Sequence, residues 1–549
     1  MLTLGSVKCK IACLSIIIII SALPFLDQPV HIDDTLFLQV ARNIINNPLD
    51  PYGSSINWLG DSEKLFEFFS NPPLLSYYLA SVITAWGESE RAMHLACIPF
   101  TLMAGTGMFF LSRRFGTPDF ASVLFLVLSP AFFTMSHTLM PDVAMSAFVI
   151  CAVLLFIRGY DGDRPLCVIA GGLLAGVAPL FRYNGLIASV IIMFYIILNF
   201  RKEKIKYGAV LLIPALLFAG WNLFTMEKYG SMHFLNHFHF QNDTTGGIAN
   251  LMLRSLSNII YISSCFVLLF LLLLWKKKNV SVVFLSFILA SALTFAVQSL
   301  AHYAPVNMSL VFVIFLGASS FFIITAEELI AEAKSGFPRD SAFLVLWLVS
   351  ILWMHKSGSH SAAKYMLIAL PPVIIIALRG TGNLLDRKQI AAAVAFTLLF
   401  GLITATADFR LAGAYKQMAN DALEQTARFN CPRYFTGHWG FQYYMEKKSS
   451  LAYPQMTLVS APAVFACVRV SYPQRIHPET EAKMKMIFQK NYYGDFPFRT
   501  LSKTPGYQAN FYTHFYGIPG KGPAHVIYGM LPFSFSHAPL ETLTVYELE

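Results

Sequence analysis

The chain has 549 residues, of which 56% are hydrophobic and only 13% are charged. A soluble globular protein carries roughly 25% charged residues, so this composition excludes a soluble enzyme and predicts a polytopic α-helical membrane protein. The net charge of +9 does not indicate nucleic-acid binding, because the basic residues fall mostly in short clusters between apolar segments.

The first apolar segment, which contains the run Ile16 to Ile20, follows Lys8 and Lys10. Basic residues favour the cytoplasmic side of a membrane, so we expect a cytoplasmic N-terminus. A cleaved signal peptide is the alternative, but cleavage would leave the acidic residues that come next almost at a bare N-terminus.

The stretch H-I-D-D-T-L-F-L follows directly and places Asp33 and Asp34 about where a first membrane helix leaves the bilayer. Carboxylates cost free energy near hydrocarbon, so at such a boundary they indicate a functional site more often than at a random position. The alternative is that an Asp only caps the helix that D-T-L-F-L-Q-V-A-R would form.

The number of membrane spans depends on residues 72–86, which are shorter than the about 20 residues that a span needs. If this segment lies on the outer surface as an amphipathic or re-entrant helix, about thirteen spans remain. The basic clusters Arg113–Arg114, Arg201–Lys206 and Lys276–Lys278 then all face the cytoplasm, whereas a spanning segment here would flip them outward. After the first, the predicted spans are 92–112, 118–139, 143–157, 166–181, 184–200, 207–226, 255–275, 280–299, 305–325, 341–355, 365–378 and 389–407.

The same topology divides the chain into a transmembrane part, residues 1–407, and a less apolar tail, residues 408–549, outside the membrane. Residues 434–446 read as strand, turn and helix, and the final E-T-L-T-V-Y-E-L-E alternates like a strand, which predicts a small C-terminal α/β extracytoplasmic domain. Cys431 and Cys467 could pair in an oxidising compartment, although spacing alone does not establish a disulfide.

Several polar residues from distant segments share the predicted outer face. Asp142 follows Pro141 and is either a helix cap or a site carboxylate. Arg182 is either a headgroup anchor or a site cation, and Lys364 with Tyr365 is either part of an interfacial belt or part of a site. His233, His237 and His239, with Asp243 nearby, have ligand-like spacing, but no matched carboxylate set is evident, so we expect an interfacial aromatic loop.

Five short elements follow one another along the chain: Asp33–Asp34, Pro72-Pro73-Leu74, Pro141-Asp142 with Phe148, Lys364-Tyr365 with Pro371-Pro372, and the tail motif Gly437 to Gly440. In their order and spacing these elements resemble the polytopic glycosyltransferases of the protein O-mannosyltransferase and lipid A aminoarabinose transferase superfamily. Three positions depart from the usual pattern: Asp34 replaces Glu, Asn71 replaces the Lys typical of aminoarabinose transferases, and Lys364 replaces Arg. The last change replaces a guanidinium, which can bind phosphate through two parallel hydrogen bonds, by the point charge of an ammonium.

The resemblance implies the C-type glycosyltransferase fold and an inverting sugar transfer from a polyprenyl-phosphate donor to an envelope acceptor, which could be a glycolipid such as lipopolysaccharide, another glycan or a protein. Arg182, Lys364 and Tyr365 are then the candidates for binding the donor phosphate. Asp33 is the candidate base, and Asp34 or Asp142 would orient the acceptor or bind sugar hydroxyls. Such sites can also take a divalent metal, for which the sequence assigns no ligands.

A secondary transporter or flippase of a lipid-linked or polar substrate is the main alternative. It predicts repeat-related halves and polar residues at the midplane, whereas this chain has no evident repeat and its candidate charges lie at one face. A glycan ligase or polymerase with a lipid-diphosphate donor would favour a larger, Arg-rich outer loop. A receptor role would leave the acidic pair without a task. The expected location is the inner (plasma) membrane, with a periplasmic or extracellular tail.

Overall fold

Long apolar helices dominate the structure, a computed structural model that describes residues 6–58, 60–236, 248–356, 361–380, 384–512 and 529–549. The helices of the first half are Val7–Ala22, Asp34–Asn46, Leu65–Phe68, Leu74–Trp86, Glu90–Arg114, Asp119–Val127, Pro130–Met135, Asp142–Gly162, Pro165–Phe181, Ile187–Leu198 and Leu212–Tyr229. The later helices are Ile248–Ser263, Val267–Lys277, Val280–Ala301, Pro305–Ser335, Arg339–Lys356, Leu370–Gly380, Arg387–Thr426, Trp439–Glu446 and Pro478–Glu481. Short 3-10 segments are Leu23–Phe25, Tyr183–Leu186, Lys202–Leu211 and Ala363–Ala369.

The chain is a mostly helical, multi-pass membrane protein. Within the described ranges, seven helices are long and apolar enough to cross a bilayer, and an eighth span results if Arg254–Ser263 and Val267–Lys277, which meet at 83°, form one. The predicted count of about thirteen is therefore not confirmed. One reason is that some apolar segments are broken: residues 118–139 divide at Ser129–Pro130, where Pro130 has no N–H to continue the preceding helix.

Residues 72–86 form the short helix Leu74–Trp86, which begins after Pro73 and ends at Gly87, whose positive φ of 79° favours glycine. Its 13 residues rise only about 20 Å, less than the hydrocarbon core of a bilayer. The earlier helix Asp34–Asn46, in the same loop, is amphipathic, since Phe37, Ala41 and Ile44 are buried on one face. Both helices match the short elements predicted for the first loop.

One continuous helix connects the membrane part with the tail. Arg387–Thr426 has 40 residues and starts at a capping box between Asp386 and Gln389. At 1.5 Å per residue it is about 60 Å long, roughly twice the hydrocarbon thickness. The predicted boundary between residues 407 and 408 lies inside this helix.

A five-stranded mixed sheet follows in the tail. Its spatial order is Leu451–Ala452, Arg433–Thr436, Ala463–Val468, Glu541–Leu548 and Met484–Tyr492. The first three strands are parallel, and Glu541–Leu548 pairs antiparallel with both neighbours, with Val545 opposite Ala466 and Phe488. The strand, turn and helix predicted at 434–446 and the predicted last strand are therefore present. Short strand pairs elsewhere involve Ser55–Asn57 with Ser62–Lys64, Phe498–Arg499 with Ser534–Phe535, and Leu501–Ser502 with Ala509–Asn510.

The tail and the helical part share one hydrophobic core. Phe109 and Phe132 of the helices belong to the same buried cluster as Ala466 and Val545 of the sheet. The helix Trp439–Glu446 packs on Arg387–Thr426, where the Trp439 and Tyr415 rings lie 6.0 Å apart. The tail is thus held against one end of the helix bundle, beside the loop that carries Asp33.

Candidate active site

Asp33 stands at the position that precedes the helix Asp34–Asn46, but its side chain makes no capping hydrogen bond. Its carboxylate instead accepts a hydrogen bond from the ammonium of Lys364, with 2.5 Å between Oδ2 and Nζ. The Asp33 side chain is 35% exposed, whereas that of Lys364 is 2% exposed. The pair therefore presents an accessible carboxylate in front of a buried cation, which a helix cap does not require.

A second ion pair joins Asp142 and Arg182. The guanidinium of Arg182 donates to both carboxylate oxygens of Asp142 at 3.0 and 3.1 Å. Asp142 is fully buried and Arg182 is 12% exposed, so Arg182 is not a cation extended into the headgroup layer. The Arg182 guanidinium also lies 4.4 Å from the centre of the Tyr365 ring, a cation–π contact.

The two ion pairs form one cluster. Lys364, which pairs with Asp33, is followed in the chain by Tyr365, and the Tyr365 ring contacts Arg182 of the second pair. The Lys364 ammonium lies 3.9 Å from the Met140 sulfur, just before Asp142, and 5.6 Å from the Tyr365 ring. Five of the six predicted site residues, from four distant segments, therefore meet: Asp33, Asp142, Arg182, Lys364 and Tyr365. His355 extends the cluster by stacking on Tyr365 at 5.5 Å.

Asp34 is separate from this cluster. Its carboxylate accepts hydrogen bonds from the backbone N–H of Leu139 at 2.9 Å and of His31 at 3.3 Å. The imidazole Nδ1 of His31 lies 3.3 Å from the same carboxylate, and both side chains are fully buried. Asp34 therefore holds the loop in place and is not accessible to an acceptor in this structure.

His31 is the centre of a buried polar network that the sequence analysis did not predict. Its Nε2 lies 2.9 Å from Asp408 Oδ2, and Asp408 also accepts from Gln28 at 3.1 Å and from Thr500 at 3.3 Å. Burial alone would lower the pKa of His31, but the charges of Asp408 and Asp34 outweigh it and raise this pKa to about 10. A lone Asp408 just after the apolar segment 389–407, and a His two residues before the acidic pair, were the sequence signals for this network.

The tail contacts the same loop through the motif Gly437 to Gly440. The backbone carbonyl of Trp439 accepts a hydrogen bond from Thr35 at 2.9 Å. A side chain at Gly440 would clash with the carbonyl oxygen of Val30, so only glycine permits this approach. The motif thus packs the tail onto the residues that lead to Asp33.

The histidines predicted to form an aromatic loop are described only in part, since His237, His239 and Asp243 lie outside the described residues. His233 is buried, stacks on Tyr52 at 4.8 Å, and uses both ring nitrogens in hydrogen bonds, with Tyr183 and with the carbonyl of Phe69. Burial lowers its pKa to about 4. His233 therefore has the role of an aromatic packing residue.

Two further expectations concern metals and cysteines. Across the ranges that the structure describes, no group of three or more His, Cys, Asp or Glu side chains could hold a metal ion. Cys431 and Cys467 are both free thiols, so they do not form a disulfide in this structure. Cys467 lies in the sheet strand Ala463–Val468.

A comparison with known families covers part of the chain that carries this cluster. Residues 70–222, which include Pro72, Asp142 and Arg182, match the family model of dolichyl-phosphate-mannose-protein mannosyltransferases. The chain is a membrane glycosyltransferase. The match confirms the predicted resemblance over this segment and favours an enzyme over a transporter or flippase. No curated protein sequence matches the chain.

Solved structures of low sequence identity cover more of this glycosyltransferase. The ArnT structure from Cupriavidus metallidurans bound to undecaprenyl phosphate is 13% identical, with a TM-score of 0.45, and the match covers 88% of this chain and 97% of that one. The Archaeoglobus fulgidus oligosaccharyltransferase is 11% identical, with a TM-score of 0.47 and coverages of 94% and 75%. The S. cerevisiae protein O-mannosyltransferase Pmt1–Pmt2 complex bound to the sugar donor is 17% identical, with a TM-score of 0.32 and coverages of 42% and 34%.

Proposed function

We propose that this glycosyltransferase moves a sugar, with inversion, from a polyprenyl-phosphate donor to an envelope glycolipid, glycan or protein at the outer face of the membrane. The observation that carries this proposal is the asymmetry of the cluster around Asp33. Asp33 is the accessible carboxylate, whereas the two cations beside it are nearly buried. An acceptor could reach the base, and the cations behind it could bind the phosphate of a donor.

The donor phosphate would bind to Lys364 and Arg182, with the Tyr365 hydroxyl as a further donor. As the sugar–phosphate bond breaks, negative charge grows on the departing polyprenyl phosphate, and fixed cations in a site of low dielectric stabilise that charge strongly. The existing ion pairs hold both cations in place before the donor arrives, so little reorganisation is needed. Asp142, which contacts Arg182 through both oxygens, is the residue that orients this guanidinium.

Asp33 would act as the general base. Its carboxylate takes the proton of the acceptor hydroxyl, the hydroxyl oxygen forms a bond with the anomeric carbon, and the bond from that carbon to the phosphate oxygen breaks. The electron pair leaves with the polyprenyl phosphate. Attack from the face opposite to the phosphate inverts the anomeric centre. In this proposal Asp34 anchors the loop and does not touch the acceptor.

The sidedness of the site remains part of the proposal. The positive-inside pattern places the N-terminus in the cytoplasm and the tail in the periplasm or outside the cell. The contact of the tail with the loop that leads to Asp33 supports a site on the same side as the tail. The tail would then cover the site or receive the acceptor.

Replacement of Asp33 by Asn tests the proposal, because Asn keeps the shape of the side chain but cannot take a proton. Membranes that contain the variant would be supplied with a radiolabelled polyprenyl-phosphate sugar, and transfer should fall by about 10²–10⁴-fold while expression and donor binding persist. Asp27→Asn is the matched control, since Asp27 lies in the same loop and pairs with exposed Arg91. Full turnover by the Asp33 variant would remove Asp33 from the reaction.

Two additions to this assay define the reaction further. Mass spectrometry of envelope glycans, with and without the protein, would identify the sugar and the acceptor. Treatment of the membranes with EDTA, followed by Mg²⁺ or Mn²⁺, tests a metal requirement: transfer that is lost and then restored would establish one.

A further inference from the structure

A cavity of about 760 Å³ lies at the opposite end of the helix bundle from Asp33. The helix Glu90–Arg114 shows the separation: its first residue pairs with Lys416 beside the tail, and the cavity begins just past its last residue, at Phe115. At 1.5 Å per residue these 25 residues rise about 37 Å, a distance comparable to the thickness of a bilayer. The cavity therefore cannot hold the head of a donor that reacts at Asp33.

The lining of the cavity combines charged and apolar side chains. Glu328 and Glu332 project from the helix Pro305–Ser335, and Arg379 from the end of Leu370–Gly380. Arg379 donates a hydrogen bond to Ser341 at 3.1 Å and lies 3.6 Å from Glu332. Apolar walls are formed by Phe115, Leu329, Leu344, Val345 and Ile376.

This pattern of charge selects among lipids. Two carboxylates face one guanidinium, so a head group that carries only a phosphate would meet net repulsion. A head group with both a phosphate and a primary ammonium fits the charges: Arg379 can bind the phosphate, and the carboxylates can accept hydrogen bonds from the ammonium. The volume is within the range of small-molecule sites, and the apolar walls can take the first part of acyl chains.

We propose that this cavity is a binding site for a phospholipid with a zwitterionic head group and a primary amine, of which phosphatidylethanolamine is the type. The site belongs to the membrane face opposite to the transfer reaction. Its occupant joins the ends of the helices Glu90–Arg114, Pro305–Ser335, Arg339–Lys356 and Leu370–Gly380. The inference is independent of the proposed function, since neither Asp33 nor the donor takes part in it.

Native mass spectrometry of the full, delipidated protein tests the proposal. Phosphatidylethanolamine, phosphatidylglycerol and phosphatidylcholine of identical acyl chains would be added in turn. The ethanolamine lipid should bind about fivefold more than the glycerol lipid. It should also bind more than the choline lipid, whose quaternary ammonium has no N–H to donate. Equal binding of the three lipids, or a preference for phosphatidylglycerol, would overturn the proposal.

Variants locate the binding to this cavity. In the double variant Glu328→Gln/Glu332→Gln the ratio of ethanolamine to glycerol lipid should approach one. Glu327→Gln is the matched control, because Glu327 is on the same helix but pairs with Lys277 at 3.1 Å and does not line the cavity. If the double variant fails to fold, Val345→Trp, which narrows the cavity at a half-buried wall, should remove the ethanolamine adduct. A ratio that stays unchanged in a folded double variant, or an adduct that persists after Val345→Trp, would contradict the assignment.

Discussion

Asp33 and Asp34 are neighbours in sequence and have opposite environments. Asp33 is 35% exposed and contacts one cation, whereas Asp34 is fully buried and is held by two backbone amides and by His31. A helix advances about 100° per residue, so adjacent side chains at its start point in different directions. The comparison teaches that adjacent carboxylates can differ in environment: one is accessible, and the other fixes the loop that carries it.

The largest expected effect comes from removing the cation between the buried carboxylates. His31→Leu leaves Asp34 and Asp408 buried without the imidazole that they share. Loss of one partner of a buried ion pair costs about 3–5 kcal/mol, because the remaining charge has no compensation. Thermal unfolding of the purified protein in detergent should therefore show a marked loss of stability.

The exposed ion pair of the same loop gives the control for this experiment. Arg91→Ala breaks its contact with Asp27, where both side chains are more than half exposed. Such pairs contribute about 0–1 kcal/mol, so the melting temperature should hardly change. If His31→Leu and Arg91→Ala lowered the melting temperature equally, the buried network would have no special role.

The environment of Asp33, the accessible carboxylate of the pair, can be tested at Lys364. Lys364→Met keeps the length of the side chain and removes the charge that faces Asp33. The phosphate leaving group would lose one of its cations, and sugar transfer should fall by about 10²–10³-fold. The unfolding temperature should change less than in His31→Leu, because water can solvate the exposed part of Asp33.

Lys364→Arg sharpens this result, since it restores the charge and provides the residue that the resembling family usually has at this position. Transfer in radiolabelled-donor assays should recover most of the activity that Lys364→Met loses. Equal inactivity of the Met and Arg variants would show that Lys364 acts through packing rather than through its charge.

A graded effect is expected from pH. The pKa of His31 is about 10 in the folded protein, raised by Asp408 and Asp34, against about 6.5 in an unfolded chain. The folded state therefore binds this proton more tightly, so the stabilisation is complete below pH 6.5 and is lost as the pH rises toward 10. Melting temperatures measured from pH 6 to pH 10 should decline more steeply for the parent than for His31→Leu. Parallel curves would mean that His31 is not charged in the folded protein.

Sequence reasoning selected the residues that meet in the cluster around Asp33 but not those of the buried network. Asp33, Asp142, Arg182 and Lys364 are charges at the ends of apolar segments, where solvation alone hardly explains them. His31 and Asp408 are 377 positions apart, and only the packing of the tail helix on the first loop brings them together. The contacts of Asp34 could not be predicted for the same reason, since its partner Leu139 contributes only a backbone amide.

The helical architecture was also predictable only in part. Hydropathy located the apolar segments and the short helix Leu74–Trp86, whose length excludes a span. It did not show that residues 118–139 divide at Pro130, nor that the chain turns by 83° between Arg254–Ser263 and Val267–Lys277. Breaks of this kind depend on side-chain and backbone contacts with neighbouring helices, to which a composition window does not respond.

A small expected effect tests whether the tail takes part in the buried network. Thr500 donates a hydrogen bond of 3.3 Å to Asp408 Oδ1, the oxygen that does not contact His31. Thr500→Val keeps the shape of the side chain and removes this bond, which should cost about 0.5–1.5 kcal/mol because Asp408 retains its other partners. Combined with His31→Leu, the loss should exceed the sum of the two single losses, since Asp408 would then lack both a cation and a hydroxyl. Purely additive losses would show that Thr500 contributes only to packing within the tail, and that the sheet region does not help to fix the loop before Asp33.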